Sequence, residues 1–333
     1  MDALNFLDIV EYRREIDAIA QSVEIADKTV FITGATGMIG SVVVDVLIEA
    51  NRKFNLNNKI IASGRSMHKL QRRFNLQDDN LQLRVYNVDD RLDYSGQIDY
   101  IIHTASNADP QNYAKYPAET FLTNIFGTKN ILDYCREQKG CRCLLMSTFE
   151  VYGNIEDKDV YSEEDVGLLD FNTLRSCYPE SKRGMEVLAK CYRDEYGIDF
   201  VTARLCSIYG PTMAVSDNKA HAQFLKKALL GKDIVLKSKG DQVRSYCYVM
   251  DAVSAIFKIL KEGITGEAYN VGNQNSVISI HDLALTIAAS QNLHVRQEQP
   301  SKQEAKGYSK PQNIILSNRK LCALGWNGKF NIS

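Results

Sequence analysis

The chain has 333 residues, 44% of them hydrophobic, and a formal net charge of −1. That is enough apolar material to bury a large core in one big domain or two unequal ones. The balanced charge offers no field for nucleic acid or an anionic membrane, no apolar run approaches the ~18 residues of a membrane span, and the N-terminus is acidic rather than basic and then apolar, so the expectation is a cytoplasmic protein that engages neither.

Residues 1–27 carry Leu4, Phe6, Leu7, Ile9 and Val10, then Ile16, Ile19 and Ala20, a spacing that predicts one or two amphipathic helices. This N-terminal extension bears no recognisable chemistry, and its expected use is packing against the main domain or a partner subunit. Val30-Phe31-Ile32 then predicts a strand, followed by Thr33-Gly34-Ala35-Thr36-Gly37-Met38-Ile39-Gly40. Glycines at 34, 37 and 40 suit a strand-to-helix turn whose backbone amides approach phosphate oxygens with no side chain between, the helix N-terminus facing the anion. Further β-rich runs lie at 60–63, 81–85, 100–104, 143–147 and 200–204, most of them separated by helical stretches such as 41–50 and 118–138. The alternation predicts an α/β fold with a doubly wound parallel sheet over 28–211. Past Pro211 the pattern loosens into a smaller mixed C-terminal lobe, 212–267 and 272–333, with 268–271 returning to complete the main sheet.

The second chemical signal is Tyr178-Pro179-Glu180-Ser181-Lys182. On a helix, Tyr178 and Lys182 share one face. A free phenol, with pKa near ~10, is a poor base at neutral pH, and a nearby ammonium is expected to pull that value down. Such a pair can take a proton from a sugar hydroxyl while hydride leaves the same carbon. The eight cysteines include Cys141-Arg142-Cys143 but no Cys-x-x-Cys, and they read as reduced core thiols with no metal site.

Together with Ile101-Ile102-His103-Thr104-Ala105-Ser106, Thr123-Asn124-Ile125-Phe126-Gly127-Thr128, Met146 through Gly153, Arg204 through Pro211, Arg244 through Asp251 and Tyr269-Asn270-Val271-Gly272, these motifs give a chain that resembles the extended short-chain dehydrogenase/reductases, within them the NAD(P)-dependent nucleotide-sugar epimerase/dehydratase family. The resemblance implies a Rossmann NAD(P)-binding domain, a lobe for a nucleoside diphosphate sugar, and a homodimer. It implies catalytic roles for Thr148, Tyr178, Lys182 and Glu150. It places the cofactor on Gly34, Thr36, Gly37, Met38, Ile39 and Gly40, on Asn87 and Val88 at the adenine, and on Thr104, Ala105, Ser106, Asn124, Tyr178 and Lys182. Arg244 matches the arginine that neutralises the substrate diphosphate, and Ser207 stands where many relatives have an asparagine.

Three departures shape the expected chemistry. The turn after the second strand has no acid for the adenosine ribose, and Arg65 with Ser66 could hold a 2′-phosphate instead, which favours NADP over NAD. Phe149 replaces the aspartic acid that protonates the leaving hydroxyl in dTDP-glucose 4,6-dehydratases. The chain is locally similar to UDP-glucuronate decarboxylases at 107–113 and 174–178, yet Ser309 stands where their carboxylate-binding arginine would be, with Lys310 as an electrostatic substitute. The reading that survives is transient oxidation at C4 of an epimerase type. Alternatives are a 4,6-dehydratase or decarboxylase-like lyase, an NADPH-dependent 4-keto reductase, an epimerase of a nucleotide-linked polyol, and a non-catalytic nucleotide-binding protein.

Overall fold

The computed structural model describes residues 5–299 and 312–332. Leu4 and the stretch from Tyr308 to Pro311, Ser309 and Lys310 included, lie outside the described residues. Helix α1 (Val10–Ala20) precedes β1 (Thr29–Thr33), α2 (Met38–Phe54), β2 (Lys59–Gly64), α3 (Met67–Arg73), β3 (Leu81–Val85) and β4 (Tyr100–His103). After them come α4 (Pro110–Lys115), α5 (Pro117–Glu137), β5 (Arg142–Thr148), β6 (Val160–Tyr161), α6 (Cys177–Tyr196) and β7 (Asp199–Leu205). The chain continues through β8 (Ser207–Tyr209), α7 (Ala220–Leu229), β9 (Ile234–Leu236), β10 (Val243–Tyr248), α8 (Val249–Glu262), β11 (Ala268–Val271), β12 (Val277–Ser279) and α9 (Ile280–Ala289).

Seven strands form the main sheet in the order β11-β7-β5-β4-β1-β2-β3, and every pairing is parallel. Its strands are apolar on both faces because both faces are covered. Val30, Ile32, Ile60, Ala62, Ile102 and Leu144 pack with the residues of α2 and α8. Their neighbours Phe31, Ile61, Ile101, Cys143 and Leu145 pack on the other side with residues of α5 and α6. The alternation is the period of two of a strand, filled with hydrophobes at both phases. As expected, residues 268–271 close the sheet, β11 pairing with β7.

The smaller lobe holds a three-stranded sheet, β12-β10-β8, in which β10 runs parallel to β8 and antiparallel to β12. Phe224, Ile234, Leu236, Tyr246, Leu283, Ala284 and Ala288 form a core of its own. Because β10 is followed directly by α8, which covers the main sheet, the lobe is tied to the larger unit through one continuous segment.

Of the two expectations for the N-terminal helix, packing against the main domain is the one observed. Ile16 and Ile19 are 0% and 1% exposed, in one cluster with residues of α2 and α8. Tyr12 donates to Asp45 at 2.5 Å and Arg73 forks onto the same carboxylate, tying α1 and α3 to α2. Burial pushes the Asp45 carboxyl up, and the guanidinium opposes it. The Tyr248 hydroxyl reaches Glu15 at 2.6 Å, so α1 also touches the start of α8. Since Ile16 is enclosed, Ile16→Ala removes packed atoms that the site cannot refill. We expect it to lower stability by about 2–5 kcal/mol, read as an earlier urea midpoint with an unchanged slope.

Candidate active site

The sheet order reverses between β1 and β4, and the crevice at the carboxyl ends of these two strands is where an α/β fold receives a ligand. The glycine turn closes this crevice from below. Gly34 has φ +64°, and a Cβ there would lie 2.9 Å from both Cα and N of Ala105. A Cβ at Gly40 would lie 2.6 Å from the Gly34 carbonyl and 2.8 Å from Thr104 Oγ1. Thr104 Oγ1 donates to the Thr33 carbonyl at 2.6 Å, and the Ala105 amide donates to Thr33 Oγ1 at 3.1 Å, so the turn is stitched to the end of β4. At Gly37 the only near neighbour of a Cβ would be the Gly34 carbonyl, 3.2 Å away. Gly37 is the N-cap of α2 and supplies no side-chain cap, so the amides of the first turn, at Met38, Ile39 and Gly40, have no side-chain acceptor. With Thr36 exposed beside them, this fits a pyrophosphate.

On the adenosine side, Arg65 is exposed at the bend after β2 and makes no ion pair among the described residues. Ser66 is already used as a cap, accepting the Lys69 amide at 3.4 Å. Val88 is buried, and its carbonyl accepts from Asn130 at 2.8 Å, while Asn87 closes a turn to Asp90.

Thr148 ends β5, and Tyr178 and Lys182 lie one turn apart on α6, all three buried. Lys182 donates to the Met146 carbonyl at 2.8 Å. Burial lowers its pKa to about 8, with the Glu186 charge opposing. The Tyr178 phenol is pushed up, not down, which corrects the expected effect of the neighbouring ammonium. Burial dominates and the Glu150 charge adds to it, while a hydrogen bond with Thr148 and the Arg175 charge oppose. Lys182 donates to the Met146 carbonyl, and its charge is outweighed by the burial of the phenol.

A chain of hydrogen bonds joins the end of β4 to this helix. Ser106 donates to Asn124 at 2.8 Å, Asn124 to Ser181 at 2.9 Å, and Ser181 to the Tyr178 carbonyl at 2.8 Å. Beneath Lys182, Glu186 accepts from Ser147 and from the fork of Arg204. His103 sits under the glycine turn, bonded to Thr33 at 2.9 Å, and burial followed by the Lys182 charge lowers its pKa to about 3. Of these supports, Ser106 and Asn124 are named from sequence in another role, whereas Ser181, Glu186 and the His103 contact are not. The spacing of four from Lys182 to Glu186 was a usable signal, whereas the Arg204 contact needed the fold.

On the substrate side, Glu150 is paired with Arg175 at 2.7 Å. Tyr113 stacks on Tyr178, ring centroids 5.4 Å apart and planes 14° from parallel. The Arg244 guanidinium lies 5.8 Å from the centre of the Phe149 ring, and burial lowers its pKa. Ser207 and Arg244 occupy the adjacent strands β8 and β10 of the smaller sheet. A separate polar cavity of about 640 Å³ is lined by Glu163, Lys190, Arg193, Arg204, Glu267 and Lys320 among others.

The family profile described as NAD dependent epimerase/dehydratase matches residues 30–272. The chain belongs to the NAD-dependent epimerase/dehydratase family. It is 32% identical over 262 residues to UDP-glucuronic acid decarboxylase 6 of Arabidopsis thaliana, covering 78% of this chain and 73% of the relative. In fold it is similar to the UDP-N-acetylglucosamine 4-epimerase of Methanobrevibacter ruminantium, solved with UDP-N-acetylmuramic acid (TM-score 0.76, 20% identity, 92% of this chain and 94% of the other). It is likewise similar to a dTDP-glucose 4,6-dehydratase of Streptomyces venezuelae, solved with NAD (0.74, 24%, 91% and 92%). Epimerase/dehydratase membership accounts for the glycine turn at the reversal and for the Tyr-x-x-x-Lys helix beside it. No described helix is long and apolar enough to cross a membrane.

Lys182 binds its proton less readily in the folded chain than in the unfolded one, whose ordinary value is 10.5. Between about 8 and 10.5 the unfolded chain holds the extra proton, so stability rises with pH through that window. Below it the buried charge costs its full amount. We expect Lys182→Met to abolish turnover and yet raise stability near neutral pH by about 1–3 kcal/mol, a gain that fades as pH approaches 10.5 in urea titrations at several pH values.

Proposed function

We propose that the protein oxidises the C4 carbinol of a nucleoside diphosphate sugar and then returns the hydride, an epimerase-type reaction with no group lost from carbon. NAD(P), when bound at the glycine turn, supplies the hydride acceptor. The Tyr178 oxygen takes the hydroxyl proton as the carbon gives up its hydride and the C=O bond forms. Thr148 Oγ1 orients that hydroxyl, and the Lys182 charge favours the phenolate in the loaded site. Arg244 and Ser207 receive the diphosphate, Arg244 as the counter-charge. The observation that carries the reading is that Thr148, Tyr178 and Lys182 converge at the end of β5, while neither neighbour serves as an acid for a leaving hydroxyl. Phe149 cannot donate a proton, and Glu150 is held by Arg175. A homodimer in the cytoplasm is part of the same proposal, supported by the family resemblance alone.

A second reading, decarboxylation of a nucleotide hexuronate, is favoured by the identity to UDP-glucuronic acid decarboxylases. A C4 ketone makes a C5 carboxylate a β-keto acid, which loses carbon dioxide without an added acid. Mass spectrometry of products from UDP-, CDP- and dTDP-sugars separates the outcomes. Epimerisation keeps the mass and changes retention, decarboxylation removes carbon dioxide, dehydration removes water, and 4-keto reduction adds two hydrogens. We expect the first, and Tyr178→Phe to lower turnover by at least ~100-fold in whichever reaction is found.

Arg65, exposed where the family fold meets the adenosine ribose, supports NADP as the preferred dinucleotide. We expect tighter binding of NADP than NAD by calorimetry and loss of that preference in Arg65→Ala. Equal affinities in the unaltered protein would refute it.

A further inference from the structure

We propose that Arg175 is a positioning residue that holds the Glu150 carboxylate and screens its charge from the Tyr178 phenol, so that the pair governs the pH at which Tyr178 can act. The inference rests on the reading of Tyr178 as the base and adds a determinant that the Tyr-x-x-x-Lys motif does not contain.

The geometry argues against an incidental surface pair. Arg175 belongs to the short 3-10 turn Leu174–Ser176, which runs directly into α6, and it stands three residues before Tyr178. Glu150 follows Thr148 by two residues, in the 3-10 turn Phe149–Tyr152 after β5. The pair therefore bridges the two segments that bring Tyr178 and Thr148 together. The contact is 2.7 Å, with the Glu150 side chain 18% exposed and that of Arg175 38% exposed. The guanidinium also lies 5.7 Å from the centre of the Tyr113 ring, the ring that stacks on Tyr178.

The titratable and charged groups facing Tyr178 can be named element by element. The end of β5 and its turn contribute Glu150, α4 contributes Tyr113, and the segment of Tyr178 itself contributes Arg175, Cys177 and Lys182. From the smaller lobe, β10 brings Arg244, which faces Phe149 and senses both Glu150 and Arg175. Burial pushes the Tyr113 phenol and the Cys177 thiol up. Glu150 is the charge that raises Tyr178 most, ahead of Tyr113, and Arg175 is the cation bonded to it. A like charge within a few ångströms disfavours an ionised phenol, and an opposite charge beside the anion opposes that effect.

The test is a set of variants with opposite signs, made in the dinucleotide-loaded protein. In Arg175→Gln an unscreened carboxylate faces the phenol, and the limb of the kcat–pH profile assigned to Tyr178 moves to higher pH by about one unit. In Glu150→Gln an unopposed guanidinium faces it, and the limb moves to lower pH. The double variant places the limb between those of the two single variants whatever its absolute rate, and Arg175→Lys, which keeps the charge, leaves the limb in place. The rate is followed as cofactor absorbance with the nucleotide sugar from the panel that turns over fastest. A substrate-free readout is the ¹³Cζ resonance of Tyr178 in tyrosine-labelled protein, assigned by its loss in Tyr178→Phe. Followed through a pH titration, its midpoint is expected to rise in Arg175→Gln and fall in Glu150→Gln.

If Arg175→Gln raises KM and leaves limb and resonance unmoved, Arg175 binds substrate and the proposal is wrong. It is equally wrong if both single variants shift in the same direction. Should Arg175→Gln fail to fold, Glu150→Gln still decides by the sign of its shift and Arg175→Lys by whether the limb stays in place. Retained turnover in Tyr178→Phe would instead remove the base assignment itself, an outcome distinct from an immobile limb in an enzyme that needs Tyr178.

Discussion

A Cβ on Gly34 would sit 2.9 Å from the Ala105 backbone, and that close approach is the constraint on which the site is built. It allows the turn after β1 to lie against the end of β4, across the one reversal in the strand order. The helix after β1 covers one face of the sheet, and those after β4 cover the other, so the strand ends between them are left open as a crevice. Thr33 and Thr104 lock the two strand ends together through their hydroxyls, with His103 kept neutral beneath them by its burial. A side chain at Gly34 or Gly40 would force the strands apart and shift every group that hangs from their ends.

The second constraint is the cost of burying charge on α6. Tyr178, Lys182 and Glu186 recur at intervals of four on one face of this helix, while Met185 and Ala189 anchor it in the apolar cluster under the sheet. A buried ammonium is tolerated because the Met146 carbonyl accepts from it and Glu186 lies near, and Glu186 in turn needs the fork of Arg204 and the Ser147 hydroxyl. Such pairs do not make a fold more stable than a well-packed apolar core would. They are the arrangement under which a charged helix face can exist against the buried side of the sheet.

The third element is the way the smaller lobe reaches the site. β10 delivers Arg244 against Phe149, then runs without interruption into α8, which packs on the main sheet and touches α1 through Tyr248 and Glu15. The N-terminal helix thereby braces the junction that positions Arg244. Its buried Tyr12–Asp45–Arg73 cluster extends the brace to α3, which follows the turn bearing Arg65.

What the chain determines by itself is local. The strand runs, the glycine turn and the Tyr-x-x-x-Lys helix are visible because each is set by short-range rules: two-sided burial, backbone freedom at glycine, and the four-residue pitch of a helix. Strand limits fall within a residue or two of those expected, and even the late return of 268–271 to the sheet could be read from its composition. The tertiary structure decided what depends on distance between segments far apart in the chain. Only the fold shows that Lys182 is turned to Met146, that Glu150 answers to Arg175, and that Tyr113 stacks on Tyr178. The direction of the Tyr178 shift was misjudged for the same reason. Sequence supplies the neighbouring charge, but desolvation is the larger effect, and it depends on how many unrelated segments close over a group.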